Sequence, residues 1–210
     1  MSTVADDGKA GQVLFLLPGA QMTAQHIEEE GLLALAAERR PALTVVPLSL
    51  GQDGIYDPKV LQRLDDEVLS PARRQYRHVW LGGISLGGLM SLAYLAQQLG
   101  RIDGLCLLAP YPGNRLTLNA IAQAGGLGAW TPTAEQLDDV EFRVWHWLQS
   151  ALPALPIFIG YGAQDRFASG IRQLAQCLPA ARIEVIEGGH DWAAWRTLWS
   201  RFLDDSLPEA

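Results

Sequence analysis

The chain has 210 residues and a formal net charge of −7 at pH 7, and 49% of its residues are hydrophobic against 19% charged. These values predict one globular domain with a sizeable core and exclude a disordered chain. The acidic balance, without a basic cluster, argues against nucleic acid or an anionic membrane as a partner. No apolar run reaches the roughly 20 residues of a membrane span, and residues 1–11 are polar, so we expect a cytoplasmic protein.

Six apolar runs predict six β-strands, at residues 12–17, 43–48, 77–81, 104–109, 154–161 and 182–187. The first run is apolar nearly throughout, which is typical of a strand buried on both faces of a parallel sheet. Helices are predicted between and after the strands, at residues 23–40, 60–74, 86–99, 171–178 and 192–204, and a loop at 49–58. Gly31 is a weak point of the first helix. The alternation predicts an α/β fold: a doubly wound, mostly parallel sheet of about six strands with helices on both faces.

One connection is unusually long, because roughly 40 residues separate the fourth and fifth predicted strands. Its first part is rich in Gly, Asn and small residues. Its second part predicts a helix that opens at a capping box of Thr133 and Gln136 and runs to residue 150. We interpret residues 111–152 as a small lid within a single domain spanning residues 1–210. The alternative is an ordinary extra helix that packs by its aromatic side chains.

Neither the cysteines nor the glycine pairs predict a cofactor. Cys106 and Cys177 belong to no C-x-x-C motif and no Cys/His cluster, so we expect reduced, core-type thiols and no zinc site. The glycine pairs at residues 82–83 and 87–88 do not form G-x-G-x-x-G, and no P-loop lysine follows them. We therefore expect no nucleotide, no other organic cofactor and no metal.

The most informative motif is Gly83-Ile-Ser85-Leu-Gly87, between a predicted strand and a predicted helix. G-x-S-x-G in that context is the pattern of a nucleophile elbow, a sharp turn that needs small residues on both sides of the serine. The alternative is a Gly/Ser-rich turn without chemistry. The motif therefore makes Ser85 a candidate nucleophile.

Two further residues complete a candidate site. Asp165 follows the fifth predicted strand and His190 the sixth, and the carboxyl ends of parallel strands meet at one edge of a sheet. A serine hydroxyl needs a base to accept its proton, and the base needs an acid to fix its tautomer. Asp165 could instead cap the next helix, and His190 could be a turn histidine. The remaining histidines, His26, His78 and His146, are weaker candidates for the base.

From Val13 onward the chain resembles the α/β-hydrolase superfamily, in its Gly-Ile-Ser-Leu-Gly elbow, its Gly162-Ala-Gln-Asp165 turn and its Gly189-His190 turn. The ending Gly-His-Asp-Trp-Ala-Ala-Trp-Arg is similar to that of esterases in this superfamily. The resemblance implies that Ser85 is the nucleophile, that His190 is the general base and acid, and that Asp165 orients His190.

The same resemblance implies an oxyanion hole made of backbone N–H groups. One is that of Leu86, and the second comes from the turn after the first strand, at Ala20 or Gln21. The chain departs from many relatives here, because Leu-Pro-Gly at residues 17–19 stands where they have His-Gly. Since the donors belong to the backbone, this departure does not exclude function.

Several residues have both a structural and a functional interpretation. Asp191 fits the N-cap of the last helix. Trp192, with Trp195 and Trp199, recurs at helical spacing as a core-facing stripe, although Trp192 could also contact His190. We take Trp130, Trp145 and Trp192 as candidate substrate contacts. Arg166 is either a surface arginine or a contact for an anionic substrate group.

These residues predict a serine hydrolase that cleaves a carboxylic ester through an acyl-serine intermediate. The first alternative is an acyl-thioesterase with the same three residues. The second is a hydrolase-fold protein that binds a ligand without turning it over. The expected partner is a small acyl ester or thioester, and the apolar insertion could serve as the surface of a homodimer.

Overall fold

The computed structural model describes residues 10–49, 59–150 and 154–207. Six parallel strands form one sheet in the order β2-β1-β3-β4-β5-β6. They are β1 (Ala10–Leu17), β2 (Leu43–Pro47), β3 (Tyr76–Ile84), β4 (Gly104–Leu108), β5 (Ile157–Gly162) and β6 (Arg182–Ile186). The predicted α/β fold with a parallel sheet of six strands is confirmed.

The order of the strands determines where a ligand can bind. From β1 the chain moves outward to β2, then returns past β1 to β3 and continues in the opposite direction. The order therefore reverses between β1 and β3, and such a switch point opens a crevice at the carboxyl ends of the strands. Leu17 of β1 lies beside Gly83 of β3 in the register of the sheet. The turn after β1 consequently begins next to the Ser85 motif.

The helices lie between and after the strands, and the longest is the last. They are α1 (Ala24–Glu29), α2 (Leu32–Arg39), α3 (Val60–Arg63), α4 (Ser70–Gln75), α5 (Leu86–Ala96), α6 (Arg115–Gln123), α7 (Val140–Trp147), α8 (Ala168–Gln176) and α9 (Trp192–Asp205). Within the described ranges, no helix is long and apolar enough to cross a membrane. Helix α5 is buried along most of its length, as expected for the helix that follows the central strand.

Two predicted helices are divided in the structure. The segment predicted at 23–40 separates into α1 and α2 at Gly31, whose φ of 80° is left-handed and favours glycine. The segment predicted at 60–74 stays helical but contains a π-helical stretch, Leu64–Leu69, between α3 and α4. The buried Asp65 carboxylate in this stretch accepts hydrogen bonds from Arg73, Ser70 and Tyr94, and the last of these ties the stretch to α5.

The insertion differs from its prediction. The long helix predicted from Thr133 to residue 150 is replaced by a short 3₁₀ turn, Gln136–Asp138, followed by α7. The capping box of Thr133 and Gln136 does form, but Asp139 has extended backbone angles and caps α7 itself through the N–H of Glu141. Helix α6 was not predicted at all.

Two predictions fall partly beyond the described ranges. The predicted loop at 49–58 lies outside them except for Ser49, and the predicted lid is described only as far as Ser150.

Both cysteines are free, with Cys106 buried in β4 and Cys177 half-buried after α8. Burial raises the pKa of the Cys106 thiol well above its ordinary value, which fits the predicted core role.

Candidate active site

Ser85 stands in a strained turn between β3 and α5. Its φ of 51° and ψ of −112° lie outside the regions that non-glycine residues normally adopt. Strain of this kind costs about 1–3 kcal/mol and is held in place by the surrounding structure. The Ser85 N–H donates to the Leu108 carbonyl at 2.9 Å, and the Ser85 carbonyl accepts from Tyr111 N–H at 2.8 Å. Strand β4 and the chain that follows it therefore hold the turn on both sides.

The flanking glycines are required by close backbone contacts. A β-carbon at Gly83 would overlap the backbone of Gly87, and one at Gly87 would overlap the carbonyl group of Leu17. Any side chain at either position would push β3, α5 and β1 apart. The G-x-S-x-G spacing thus has the steric role expected of a nucleophile elbow.

Asp165 is placed by the turn that follows β5. Its N–H donates to the Gly162 carbonyl at 3.1 Å, and its Oδ1 accepts from Phe167 N–H at 2.7 Å. The carboxylate is completely buried. A buried carboxylate must be satisfied by hydrogen bonds, and the backbone bond to Oδ1 leaves Oδ2 for another donor.

His190 is placed by the loop after β6, which is hydrogen-bonded to the Asp165 loop. The Gln164 N–H donates to the Gly188 carbonyl at 2.9 Å, and the Gly188 N–H donates to Gln164 Oε1 at 2.6 Å. Gly188 has a φ of 138°, in the region that favours glycine. These bonds fix the two loops relative to each other, and so fix His190 relative to Asp165.

The three predicted residues meet in one chain of hydrogen bonds. His190 Nδ1 lies 2.6 Å from Asp165 Oδ2, and His190 Nε2 lies 2.9 Å from Ser85 Oγ. With the carboxylate accepting from Nδ1–H, neutral His190 presents an unprotonated Nε2 to the serine hydroxyl. The arrangement can accept a proton from Ser85 as its oxygen attacks an electrophile.

Two aromatic rings hold the His190 imidazole edge-on. The ring centroid of Phe167 lies 5.0 Å away and that of Trp195 5.1 Å away, with interplanar angles of 85° and 89°. Edge-to-face contacts of this kind are favourable for aromatic pairs. Phe167 therefore contributes twice, by its N–H to Asp165 and by its ring to His190, and the sequence had offered no signal for this role.

Ser85 opens into a cavity of about 510 Å³. Helices α3 and α5 contribute mainly apolar residues to its lining, and residues at and just before the start of α7 contribute mainly charged ones. The described residues that line it are Ala20, Val60, Leu61, Ser85, Leu86, Leu89, Met90, Gln97, Tyr111, Asp138, Asp139, Val140, Glu141, Arg143, Arg166 and Phe167. The cavity is large enough for a small organic ligand.

The predicted oxyanion donors belong to the first turn of α5 and to the turn after β1. The N–H of Leu86 is the first of α5 and has no partner within the helix. The turn after β1 is closed by the Met22 N–H donating to the Gly19 carbonyl at 3.1 Å, and Gln21 has a φ of 60°. Ala20 and Leu86 both line the cavity, whereas Gln21 is not among its lining residues.

The three predicted tryptophan contacts are not brought into the cavity. Trp130 is buried against Phe142, and Trp145 is buried with its Nε1–H donating to the Pro112 carbonyl at 2.7 Å. Trp192 packs edge-on against Trp195. None of them belongs to the described lining of the cavity. The contacts of Trp130 and Trp145 given above are packing contacts within the insertion.

The rival residues take other roles. His26 is exposed, and its Nδ1 accepts from the Thr23 N–H in the capping box of α1. His78 lies early in β3, away from the carboxyl edge, and His146 is exposed on α7. Asp191 caps α9 through the Ala194 N–H, as predicted. Among the described residues, no group of three or more His, Cys, Asp or Glu side chains could hold a metal ion.

Sequence comparison finds no match for the chain among family models or curated proteins. Solved structures do match. The Staphylococcus aureus fluorophosphonate-binding serine hydrolase F has a TM-score of 0.66 at 15% identity, over 96% of this chain and 85% of that one. A ferulic acid esterase has a TM-score of 0.64 at 15% identity, over 94% and 85%. An S-formylglutathione hydrolase from Agrobacterium tumefaciens has a TM-score of 0.62 at 14% identity, over 94% and 82%.

These similarities extend over almost the whole chain at low identity, so they define the fold. The chain has the α/β-hydrolase fold, with Ser85, His190 and Asp165 at the carboxyl edge of its sheet. Because one fold hosts many activities, function has to be argued from the site.

Proposed function

We propose that the protein is a serine hydrolase that cleaves a carboxylic ester through an acyl-Ser85 intermediate. The observation that carries this proposal is the position of His190, with one ring nitrogen 2.6 Å from the Asp165 carboxylate and the other 2.9 Å from the Ser85 hydroxyl. Through this hydrogen bond the serine hydroxyl can pass its proton to His190 and so become a usable nucleophile.

In acylation, Ser85 Oγ attacks the ester carbonyl carbon while its proton passes to His190 Nε2. The bond between the carbonyl carbon and the leaving oxygen then breaks, and His190 returns the proton to the departing alcohol. Asp165 stays ionised and stabilises the imidazolium that forms in between. Its burial and its bond from Phe167 N–H keep its Oδ2 directed at His190.

In deacylation, a water molecule takes the place of the alcohol. His190 accepts a proton from the water as its oxygen attacks the acyl carbon, and it then returns this proton to Ser85 Oγ as the carboxylic acid leaves. The developing negative charge on the carbonyl oxygen is stabilised by the N–H groups of Leu86 and of Ala20 or Gln21. Loss of one such donor typically costs about 10² to 10³ in rate. No metal or organic cofactor takes part.

The names of the matched structures support the same chemistry, since they include an esterase and a fluorophosphonate-binding serine hydrolase. They also include S-formylglutathione hydrolases. S-formylglutathione is, by its name, a thioester. An acyl-thioesterase is therefore the second candidate. Both reactions use the same attack by Ser85 and differ in the leaving group.

We further propose that the insertion predicted at residues 111–152 forms a lid within the single domain. The start of α7 supplies Asp138, Asp139 and Val140 to the cavity wall, so the insertion shapes the space into which Ser85 opens. We keep the cytoplasm as the predicted compartment and the insertion as the predicted surface for a homodimer.

The proposal is tested by turnover of a matched pair, 4-nitrophenyl butyrate and the corresponding butyryl thioester. We expect hydrolysis by the wild-type protein and none above background by Ser85→Ala, which leaves the elbow backbone in place. His146→Ala is the matched control, because His146 is exposed on α7 and should be dispensable. The ratio of the two rates distinguishes an esterase from a thioesterase. Turnover by Ser85→Ala at the wild-type rate would refute the mechanism.

A further inference from the structure

The charged side chains that line the cavity differ in whether they have hydrogen-bond partners within the protein. Glu141 Oε2 accepts from the Asn114 N–H and from Thr117 Oγ1–H, both at 2.7 Å. Asp139 caps α7. These carboxylates are held by bonds within the protein.

The two arginines of the lining also differ. The Arg143 guanidinium donates to the Leu137 and Asp138 carbonyls, at 3.0 and 2.8 Å. The Arg166 guanidinium has no carboxylate within ion-pair distance among the described residues. Instead it lies over the Phe167 ring, whose centroid is 4.8 Å from Arg166 Cζ. Arg166 is an exposed residue that lines the cavity, and its guanidinium donates no hydrogen bond to another described residue.

Arg166 belongs to the Asp165 loop, the turn that follows β5. It follows the buried Asp165 directly, and Phe167, on which it stacks, packs edge-on against His190. Stacking on an aromatic ring orients a guanidinium and leaves its N–H groups free to donate. The fork of N–H groups matches the two oxygens of a carboxylate.

We propose that Arg166 binds an anionic group of the substrate, so that the protein acts on esters that carry a carboxylate besides the bond it cleaves. This inference rests on the proposed function and names its substrate class. Asp138 also lines the cavity, and its carboxylate accepts no hydrogen bond from another described residue. The anionic group is therefore expected to lie on the Arg166 side of the cavity, beside Phe167 and away from the start of α7.

The test measures binding to Ser85→Ala, so that no ester is consumed. One pair of probes places the charge on the acyl side: mono-4-nitrophenyl glutarate and its neutral methyl ester. A second pair places it on the leaving group: 4-carboxyphenyl butyrate and its neutral methyl ester. Calorimetry gives the Kd of each. In one of the two pairs, the anionic member should bind more tightly than its neutral methyl ester. That pair shows whether Arg166 binds a carboxylate on the acyl side or on the leaving group.

Three further substitutions are added to the Ser85→Ala background. Arg166→Gln should lower the preference for the anionic over the neutral probe about twofold to fivefold, as expected for an ion pair made by a solvent-exposed arginine. Arg166→Lys keeps the charge but loses the fork, so it should retain part of the preference. Arg172→Gln removes the same charge from an exposed position on α8, outside the described lining of the cavity, and should change nothing.

The proposal is overturned if neither anionic probe binds, if neither binds more tightly than its neutral partner, or if Arg166→Gln leaves the preference unchanged. An equal loss in Arg172→Gln would also overturn it, because the effect would then be one of net charge. Failure of the proposed function looks different: wild-type protein would not hydrolyse any ester, while the binding preference and its dependence on Arg166 could still be measured.

Discussion

Gly162, the last residue of β5, packs directly against the carbonyl group of Gly188 in the loop that carries His190. A β-carbon at Gly162 would overlap that carbonyl group. This contact lets the Asp165 loop and the His190 loop lie close enough for the hydrogen bonds of Gln164 to join them. The distance between the Asp165 and His190 side chains thus depends on a glycine that has no role in the proposed chemistry.

Gly162→Ala should therefore separate the two loops and slow the proposed ester hydrolysis. Overpacking of this kind typically costs about 1–3 kcal/mol of stability. We expect a lower free energy of unfolding in urea, and a fall in kcat larger than the loss of folded protein explains. Gly128→Ala is the matched control, because a β-carbon there would have no heavy atom of the described residues within 4 Å apart from the chain beside it. Wild-type kcat in Gly162→Ala would contradict this account.

Asp165→Asn tests the role of the buried carboxylate. The amide retains the size of the side chain, but it no longer stabilises the imidazolium and it permits the wrong His190 tautomer. We expect kcat to fall by about 10³ to 10⁴, with the fold retained. Asp191→Asn, which alters the neighbouring N-cap of α9, serves as the control and should keep kcat within a few-fold. A loss confined to KM in Asp165→Asn would argue against the assignment.

Trp195 is predicted to be a positioning residue. It is buried, it packs edge-on against His190, and it is absent from the described lining of the cavity. Trp195→Leu should allow the imidazole to shift and so lower kcat by about 10-fold to 10²-fold, with KM little changed. Steady-state kinetics separates the two parameters. A change in KM alone would indicate that Trp195 contacts substrate.

Trp145→Phe distinguishes the structural role from the predicted substrate contact. The substitution removes the Nε1–H that donates to the Pro112 carbonyl and leaves that buried acceptor unsatisfied. We expect the free energy of unfolding to fall by about 1–3 kcal/mol, whereas KM for aryl and alkyl esters stays within twofold. An unchanged stability together with a raised KM would restore the substrate-contact interpretation.

The Asp65 carboxylate makes the free energy of unfolding depend on pH. Burial alone would raise the pKa of the Asp65 carboxyl, but hydrogen bonds from Tyr94, Arg73 and Ser70 outweigh it and hold the pKa below its ordinary value. A carboxylate with a depressed pKa contributes stability above its unfolded pKa of about 3.9, and this contribution is lost as the pH falls through the folded value.

Asp65→Asn should therefore be less stable than wild type at pH 7, and the difference should narrow as the pH falls below about 4. Urea unfolding of both proteins at pH 7 and at pH 3.5 measures it. Asp66→Asn is the matched control, since the Asp66 side chain is exposed and bonds only to Gln62 among the described residues. A difference that does not change with pH would show that the Asp65 charge is unimportant.

The strands and the turn at Ser85 were predictable from the sequence, because both depend on the residues in and next to them. Apolar runs separated by helical segments define the parallel sheet, and the glycines around Ser85 mark a turn that few other residues allow. Ser85, Asp165 and His190 each follow a strand, so sheet topology alone brings their loops to one edge. The break at Gly31 has the same local origin.

The walls of the cavity were not predictable in this way. They depend on how the insertion packs on α5, and a tryptophan in the sequence does not show which way it will face. Trp130 and Trp145 are buried and do not belong to the described lining of the cavity. Val140 and the α3 residue Val60 line it instead. The Asp139 cap, which shortened the predicted helix, competed with an equally plausible capping box at Thr133.

The most direct test of the central claim is the mass of the intact protein after brief exposure to a fluorophosphonate probe. We expect one phosphonyl adduct on the wild-type protein, none on Ser85→Ala, and strongly slowed labelling of His190→Ala. His146→Ala should label like wild type. An adduct that persists in Ser85→Ala, or a folded wild-type protein that takes up no probe, would contradict an activated serine at residue 85.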